Sequence, residues 1–457
     1  MNLPSALIQS LLPLKGFQQE AFIRAHEAAA PVSIRLNPAK RPTGCLPFDY
    51  LYTGETKWCG EGRYLIERPS FTADPFLHAG AYYVQEASSM FLEHAFRVAV
   101  PGHQPIRVLD LCAAPGGKST HLLSLLPPGS LLVSNEVIRQ RVNILSENVT
   151  KWGYPGVIVT NNDPADFQRL PEFFDVILVD APCSGSGLFR KDPAALDEWS
   201  IANVQLCSSR QQRILADVLP ALAPGGVLMY ATCSYSPEED AQVANWLLLH
   251  HGMASVPLSA PASWGVVETG DGITNAYGYN FFPHHLAGEG FYMSVFRKEE
   301  SELKTAPSKR RQDRPARISA EAAAVIQPFI VGQSDWCYFL HHEQIVAFPS
   351  CQEEGLSIIK SVLYIRKAGV EIGSIIRKEL VPSHQWAISI IKPSGYPQWE
   401  MDQTQALQYL RRQELPPETA YRGWVLITYK GINLGWVKVL PGRVNNYYPK
   451  DWRILNK

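Results

Sequence analysis

The sequence predicts an α/β protein whose central unit is a mostly parallel sheet covered by helices on both faces. Three observations carry that prediction. Residues 105–300 alternate apolar runs with amphipathic segments, the pattern of strands joined by crossover helices. Two of those runs, Phe174-Asp-Val-Ile-Leu-Val179 and Val227-Leu-Met-Tyr230, are near-continuous in the way a strand buried on both faces requires. A third, Ile106-Arg-Val-Leu-Asp-Leu111, opens into Cys112-Ala-Ala-Pro-Gly-Gly-Lys118, a tight turn leading into a helix.

In chain order, residues 1–88 mix helix signals with proline-rich turns. A first helix ends before Pro13, a second covers 18–29, and Val32-Ser-Ile-Arg35-Leu-Asn37-Pro38 reads as a short strand with Arg35 projecting. Strands are expected at 106–111, 131–136, 156–160, 174–179 and 226–231, with an edge strand or hairpin at 290–297. A helix over 138–152 puts Ile138, Val142, Leu145 and Val149 on one face and stops at Gly153. Residues 304–317 hold six basic residues, one acidic residue and two prolines, which reads as an exposed linker, either a tether or a contact to an RNA backbone. From Ile318 strand-like runs return: Trp336-Cys-Tyr-Phe-Leu340, Trp386-Ala-Ile-Ser-Ile-Ile391, Trp424-Val-Leu-Ile-Thr428 and Leu434-Gly-Trp-Val-Lys-Val439. The organisation is therefore 1–88, 89–300, a basic linker over 301–317, and 318–457.

A chain of 457 residues, 46% hydrophobic and 11% aromatic, has room for two or three domains with separate cores. No apolar run is long enough to span a bilayer, and the first ten residues lack a basic, uninterrupted secretory pattern. A reducing cytosol is the expectation. The eight cysteines contain no CxxC pair and no zinc-type Cys/His spacing, so structural disulfides and a metal site are not expected. With a net charge of −1, any polyanion must be held by local basic patches.

The turn Cys112, Ala113, Ala114, Pro115, Gly116, Gly117, Lys118 is not a phosphate-gripping loop, because GxxxxGK[ST] would need a glycine where Cys112 stands. GxGxxG is absent as well. What remains is a place where backbone amides approach a ligand closely and a helix N-terminus favours a carboxylate. Glu136 ends the next strand, where an acid can bind a ribose diol. Asp163 follows the third strand, within reach of an adenine amino group. An adenosine carrying a carboxylate and no phosphates is S-adenosylmethionine. Any one of these acids could instead be capping a helix, but Asp110, Glu136 and Asp163 fall at successive strand ends.

Asp180-Ala-Pro-Cys183 and Ala231-Thr-Cys233-Ser234 each set a cysteine just past a strand. Ligands of open α/β sheets bind outside the carboxyl ends of the strands, so both thiols should reach one crevice. Two thiols facing a cofactor suggest covalent catalysis. Small buried packing is the ordinary fate of free cysteine, and Cys45, Cys59, Cys207, Cys337 and Cys351 are assigned to it. At Cys112 the backbone should matter more than the sulfur.

These motifs resemble those of the Nol1/Nop2/Sun RNA cytosine-5 methyltransferases. The resemblance is carried by 110–120, Asp180-Ala-Pro-Cys-Ser-Gly-Ser-Gly187 and Tyr230-Ala-Thr-Cys-Ser234. It extends to Ser33-Ile-Arg-Leu-Asn-Pro38, Tyr82-Tyr-Val-Gln-Glu-Ala-Ser-Ser-Met90 and Gly288-Glu-Gly-Phe291. The ending, Leu434-Gly-Trp-Val-Lys438 and Arg443-Val-Asn-Asn-Tyr-Tyr-Pro-Lys450, is similar to the bacterial F-type enzymes of 16S rRNA. The resemblance implies a Rossmann-like S-adenosylmethionine-dependent methyltransferase domain, a small N-terminal RNA-binding domain and a C-terminal PUA-like domain. The resemblance implies 16S rRNA or the small ribosomal subunit as partner; a monomer in the cytosol, with no membrane, is expected.

The chemistry asks for the same residues. Carbon 5 of cytosine is too weak a nucleophile to attack a methyl sulfonium, but a thiolate added at carbon 6 makes carbon 5 enamine-like. After transfer, a base removes the carbon 5 proton and the thiol leaves. Asp180 is placed to hydrogen-bond ring nitrogen 3. Local sequence leaves open which thiol attacks, since the Pro-Cys pair supplies the nucleophile in DNA cytosine-5 methyltransferases. The family resemblance implies Cys233 as nucleophile and Cys183 in product release. Lys118 reads as a cofactor-loop contact or a partner of the aspartate's strand; the resemblance implies that Arg141 lies near the cofactor, though as an exposed helix arginine it would be unremarkable. His284 and His285 carry no catalytic weight. The target base must be flipped out or unpaired. The 443–450 loop, with aromatics among cations, reads as an RNA contact, whereas Trp424, Trp436 and Val439 read as core. Three rival readings remain: an amine methyltransferase, which would carry Asn/Asp-Pro-Pro-aromatic rather than Asp-Ala-Pro-Cys; a non-catalytic rRNA assembly factor; and a tRNA cytosine-5 methyltransferase.

Overall fold

The computed structural model describes residues 3–300, 312–332, 335–416 and 420–455. Among them a ten-stranded sheet forms the centre. Its parallel part runs in the spatial order Leu222–Thr232, Phe174–Asp180, Arg107–Asp110, Leu131–Asn135, Val157–Thr160. Strand order reverses at Arg107–Asp110, the position where doubly wound sheets open a ligand crevice. Phe291–Lys298 adds antiparallel to Leu222–Thr232. On the far edge Ile365–Ala368, from well beyond the basic stretch, pairs with Val157–Thr160. The central sheet is thus completed by a strand contributed from the C-terminal third of the chain.

Both faces of the sheet are packed. Leu109, Val133, Ile177, Leu228 and Tyr230 belong to one apolar layer, and Val108, Leu132, Leu178, Met229 and Val295 to the other. That alternation along single strands is why the runs read as continuously apolar. The helix after the second strand spans Arg139–Trp152 and buries Val142, Leu145 and Val149. Ile138 does not join that face. It stands at the extended N-cap position, 50% exposed, with its N–H given to the Glu136 carboxylate at 2.8 Å. Gly153 ends the helix at φ +88°, as expected.

The N-terminal part carries a four-stranded antiparallel sheet, Tyr52–Glu55, Gly62–Leu65, Val32–Leu36, Tyr82–Val84. Its helices Ser5–Leu11 and Gln19–Glu27 place Leu7, Ile8, Leu11 and Phe22 against Phe189, Tyr235 and Phe282. They therefore roof the loops that follow the cysteine-bearing strands. Arg35 does not project. It is 1% exposed, stacked over Trp152, and bonded to Gln85 at 2.8 Å and Thr120 at 2.7 Å. The partners that make this burial tolerable lie 50 and 85 residues away and leave no local signal.

The C-terminal part holds two further four-stranded sheets. The run 386–391 is not a strand: Ser383 caps a short helix, His384–Ala387, and Trp386, Ile388 and Ile391 are buried around it. A short apolar run reads alike in either state. Of the basic stretch, 304–311 lies outside the described residues. Its end is docked, with Arg317 pairing Glu353 at 2.7 Å and Asp313 pairing Lys360 at 3.2 Å.

Candidate active site

Parallel pairing sets Asp180 beside Ala231 on adjacent strands. Cys183 and Cys233 follow within three residues of these positions, and their sulfur atoms come to 3.1 Å. The loops touch because two glycines let them. A Cβ on Gly187 would stand 2.5 Å from the Gly290 carbonyl oxygen and 2.7 Å from that of Cys233. Without side chains there, Gly187 N–H bonds the Cys233 carbonyl at 2.9 Å and Gly290 N–H bonds the Gly187 carbonyl at 3.2 Å. The contact with Cys233, with burial, holds the Cys183 thiol well above the ordinary cysteine range.

Asp180 ends its strand facing the turn after Arg107–Asp110. Lys118 reaches across, its Nζ 2.7 Å from Asp180 Oδ2 and 5.2 Å from the Phe291 ring centre. Burial works against the Lys118 ammonium, but the Asp180 carboxylate keeps its pKa above the usual lysine value. Of the two readings open for Lys118, the structure has the partnership with the aspartate.

The turn itself is a stiff cradle. Gly116 adopts φ +116° at the N-cap of Gly117–Leu125, a conformation that side chains rarely take. Arg141 bonds the Ala114 carbonyl at 2.7 Å and Asn148 that of Pro115 at 2.8 Å, while Ala113 N–H bonds Asn135 at 2.8 Å. Cys112 and Asp110 lie beneath. Burial raises the Asp110 carboxyl to about 7, and Ser119 bonds it at 2.6 Å. Glu136 is 3% exposed and pairs with Arg141 at 3.3 Å. Next to it Val137 and Ile138 stand half-exposed. Asp163 is exposed and caps the short turn Pro164–Arg169, taking the Ala165 N–H at 3.1 Å.

Two features escaped the sequence reading. Glu239, fully buried, accepts from Ser184 N–H at 2.7 Å, Ser184 Oγ at 2.5 Å, Ser234 Oγ at 2.7 Å and Gln211 at 3.2 Å. It ties both cysteine loops to one anchor, and burial raises its pKa. Arg190 and Glu289 form a buried ion pair at 3.1 Å beneath the Gly187–Gly290 crossing. The signal available was the acidic run Glu238-Glu239-Asp240 so close to a cysteine, but acids in loops are ordinary. His284 and His285 face the Gly16 carbonyl.

On the C-terminal sheet, Trp424 packs on Tyr447 at 4.4 Å and lies under the Lys438 ammonium at 5.3 Å. Arg443, Tyr447 and Lys450 are exposed. Tyr448 is not: it is fully buried, with its hydroxyl 3.1 Å from His78 Nδ1. Trp436 and Val439 are core.

Three family models match the chain: 16S rRNA methyltransferase RsmB/F over 100–297, the N-terminal domain of 16S rRNA methyltransferase RsmF over 3–87, and the methyltransferase RsmF PUA domain over 397–454. The chain is 30% identical over 455 residues to ribosomal RNA small subunit methyltransferase F of Cronobacter sakazakii, spanning 95% of this chain and 93% of that protein. It is 30% identical to the protein of the same name from Serratia proteamaculans, over 98% and 96% of the two chains. Among solved structures, a methyltransferase homolog protein from Pyrococcus horikoshii aligns with TM-score 0.50 and 27% identity, over 65% of this chain and all of that one. NSun6 from the same organism aligns with TM-score 0.51 at 18% identity, over 65% of this chain and 99% of that one, and shows the fold.

Proposed function

The chain belongs to the 16S rRNA methyltransferase RsmB/F family, and from that premise we propose that it transfers a methyl group from S-adenosylmethionine to carbon 5 of a cytosine in 16S rRNA, with Cys233 as nucleophile and Cys183 assisting release. The observation that carries this reading is the thiol pair at 3.1 Å beside the Lys118–Asp180 ion pair.

The residues around the cradle suit the cofactor. Amides at the Gly117–Leu125 N-terminus face a carboxylate, the buried Glu136 suits a ribose diol, and half-exposed Val137 and Ile138 offer apolar surface to a purine. Ala113, Ala114, Pro115 and Asp163 line the rest, with Arg141 bracing the turn. S-adenosylmethionine, when bound, supplies an electrophilic methyl group. The protein does everything else. Cys233 gives up its S–H proton to solvent and, as the thiolate, bonds carbon 6, and the electron pair displaced from the 5,6 double bond enriches carbon 5. The Lys118–Asp180 pair sits where it can hydrogen-bond ring nitrogen 3 and take up the charge that develops there. A base then takes the carbon 5 proton, and the Cys233–carbon 6 bond breaks by elimination. Cys183, whose thiol the contact with Cys233 and burial push upward, is within reach to return a proton to the Cys233 sulfur as that sulfur departs.

RNA is captured outside the crevice. Exposed Arg443, Tyr447 and Lys450, with Trp424 and Lys438, offer cations and a stacking surface. We place the protein in the cytoplasm with its RNA. No helix among the described residues is long and apolar enough to cross a membrane. A monomer suffices, because the thiols, the Lys118–Asp180 pair and the cradle all come from one chain. The test is base-resolution bisulfite mapping of 16S rRNA, free and in assembled subunits, treated with purified protein and methyl donor. A new protected cytosine is expected. Unchanged maps for both substrates would sink the assignment.

A further inference from the structure

Away from the crevice, three buried side chains from separate segments converge. Cys59 precedes the Gly62–Leu65 strand, Glu93 lies in the first turn of Leu92–Ala99, and His121 sits in the middle of Gly117–Leu125. They are 2%, 8% and 1% exposed. His121 Nε2 is 3.6 Å from Cys59 Sγ and 3.3 Å from Glu93 Oε2, and one donor atom of each residue lies within 4.8 Å of the other two.

With no ion between them, the Glu93 carboxylate can accept from both His121 Nε2–H and the Cys59 thiol. The same three donor atoms can instead give electron pairs to one cation at their centre. The edges fit as well: zinc bonds of about 2.3 Å to sulfur and about 2.0 Å to nitrogen or oxygen, set tetrahedrally, give N···S and N···O separations of about 3.5 and about 3.3 Å. Arg97 holds the other Glu93 oxygen at 3.0 Å and so orients Oε2 into the cluster.

We propose that Cys59, Glu93 and His121 bind a divalent cation of the zinc class. On binding, the Cys59 S–H bond gives its proton to solvent as the sulfur–metal bond forms, with no change of oxidation state. A groove lined by Thr56, Trp58, Cys59, Glu93, His94 and Arg97 opens beside the cluster. The site staples a loop of the N-terminal part to the helix whose first turn carries Lys118, which makes it a structural site distinct from the thiol pair. Cysteine spacing along the sequence cannot reveal it, because the ligands are 34 and 28 residues apart on different elements.

The test uses the full chain with Cys183→Ala and Cys233→Ala, so that the crevice thiols cannot take metal. Zinc titration followed by dialysis and atomic emission should find one retained zinc per chain. Cobalt substitution should give thiolate-to-cobalt absorption that Cys59→Ser loses. His121→Gln should weaken binding beyond the ~10–100-fold that loss of an outer partner costs. Failure of the parent chain to retain stoichiometric zinc would overturn the proposal without any variant having to fold. So would equal retention by Cys59→Ser and His121→Gln.

Discussion

Cys183 and Cys233, fifty residues apart in sequence, hold their sulfur atoms 3.1 Å apart at the carboxyl ends of neighbouring parallel strands. The Asp180–Ala231 register sets the approach, and the Gly187–Gly290 crossing closes it. The sulfur of each thiol lies within hydrogen-bonding distance of the other. Two thiols within reach of each other are what the proposed addition–elimination cycle requires in one place.

Cys233→Ala should abolish methyl transfer while leaving S-adenosylmethionine affinity within about twofold of the parent, since the cradle stands on other strands. Calorimetric cofactor binding alongside methyl incorporation separates the two. Substantial turnover in Cys233→Ala with none in Cys183→Ala would reverse the roles.

Glu239→Gln keeps the volume but replaces an acceptor with an amide donor facing Ser184 and Ser234. Stability should drop by about 1–3 kcal/mol, and turnover should fall more than the RNA KM rises, because both thiol loops lose their shared anchor. Denaturant melts and steady-state kinetics measure these. A variant altered only in KM would place Glu239 outside the crevice's geometry.

His78 joins the N-terminal part to the C-terminal sheet. It faces the Thr72 carbonyl at 2.9 Å and the Tyr448 hydroxyl at 3.1 Å, and burial lowers its pKa from 6.5 to about 4. The unfolded chain therefore binds the proton more readily. The stabilisation is complete above pH 6.5 and is lost as pH falls toward 4, amounting to at most ~3 kcal/mol. Melting curves across that window should fall less steeply for His78→Gln than for the parent. Parallel slopes would show that His78 titrates alike in both states.

Arg443→Ala with Lys450→Ala should weaken RNA binding and lower the salt slope by about one for each phosphate contact removed. Methylation at saturating RNA should fall less than at low RNA. Deleting the whole region after residue 304 is a poorer test, because Ile365–Ala368 is part of the central sheet. An unchanged salt slope would give those two cations another task.

Much of this was legible in the sequence, where local pattern and structure coincide. The five parallel strands appear within a few residues of their expected places because runs buried on both faces leave little ambiguity. The cysteine motifs and the Gly116–Gly117 turn read correctly as loops past strand ends. What failed depended on distant partners. From the sequence Arg35 reads as a projecting cation, yet Gln85, Thr120 and Trp152 bury it. Tyr448 seemed part of an RNA loop, but His78 claims its hydroxyl. The 386–391 run was apolar because it is core, not because it is a strand. Glu239 and the Cys59–Glu93–His121 cluster exist only once the chain has closed.

Cys233 is expected to form the bond to RNA and Cys183 to undo it. Cys183→Ala protein incubated with 16S rRNA and methyl donor, resolved on a denaturing gel and digested for mass mapping, tests it most directly. A gel-stable protein–RNA adduct is expected, with its nucleotide on the peptide containing Cys233, and it should vanish in the double mutant. An adduct mapped to another residue, or none under turnover conditions, would contradict it.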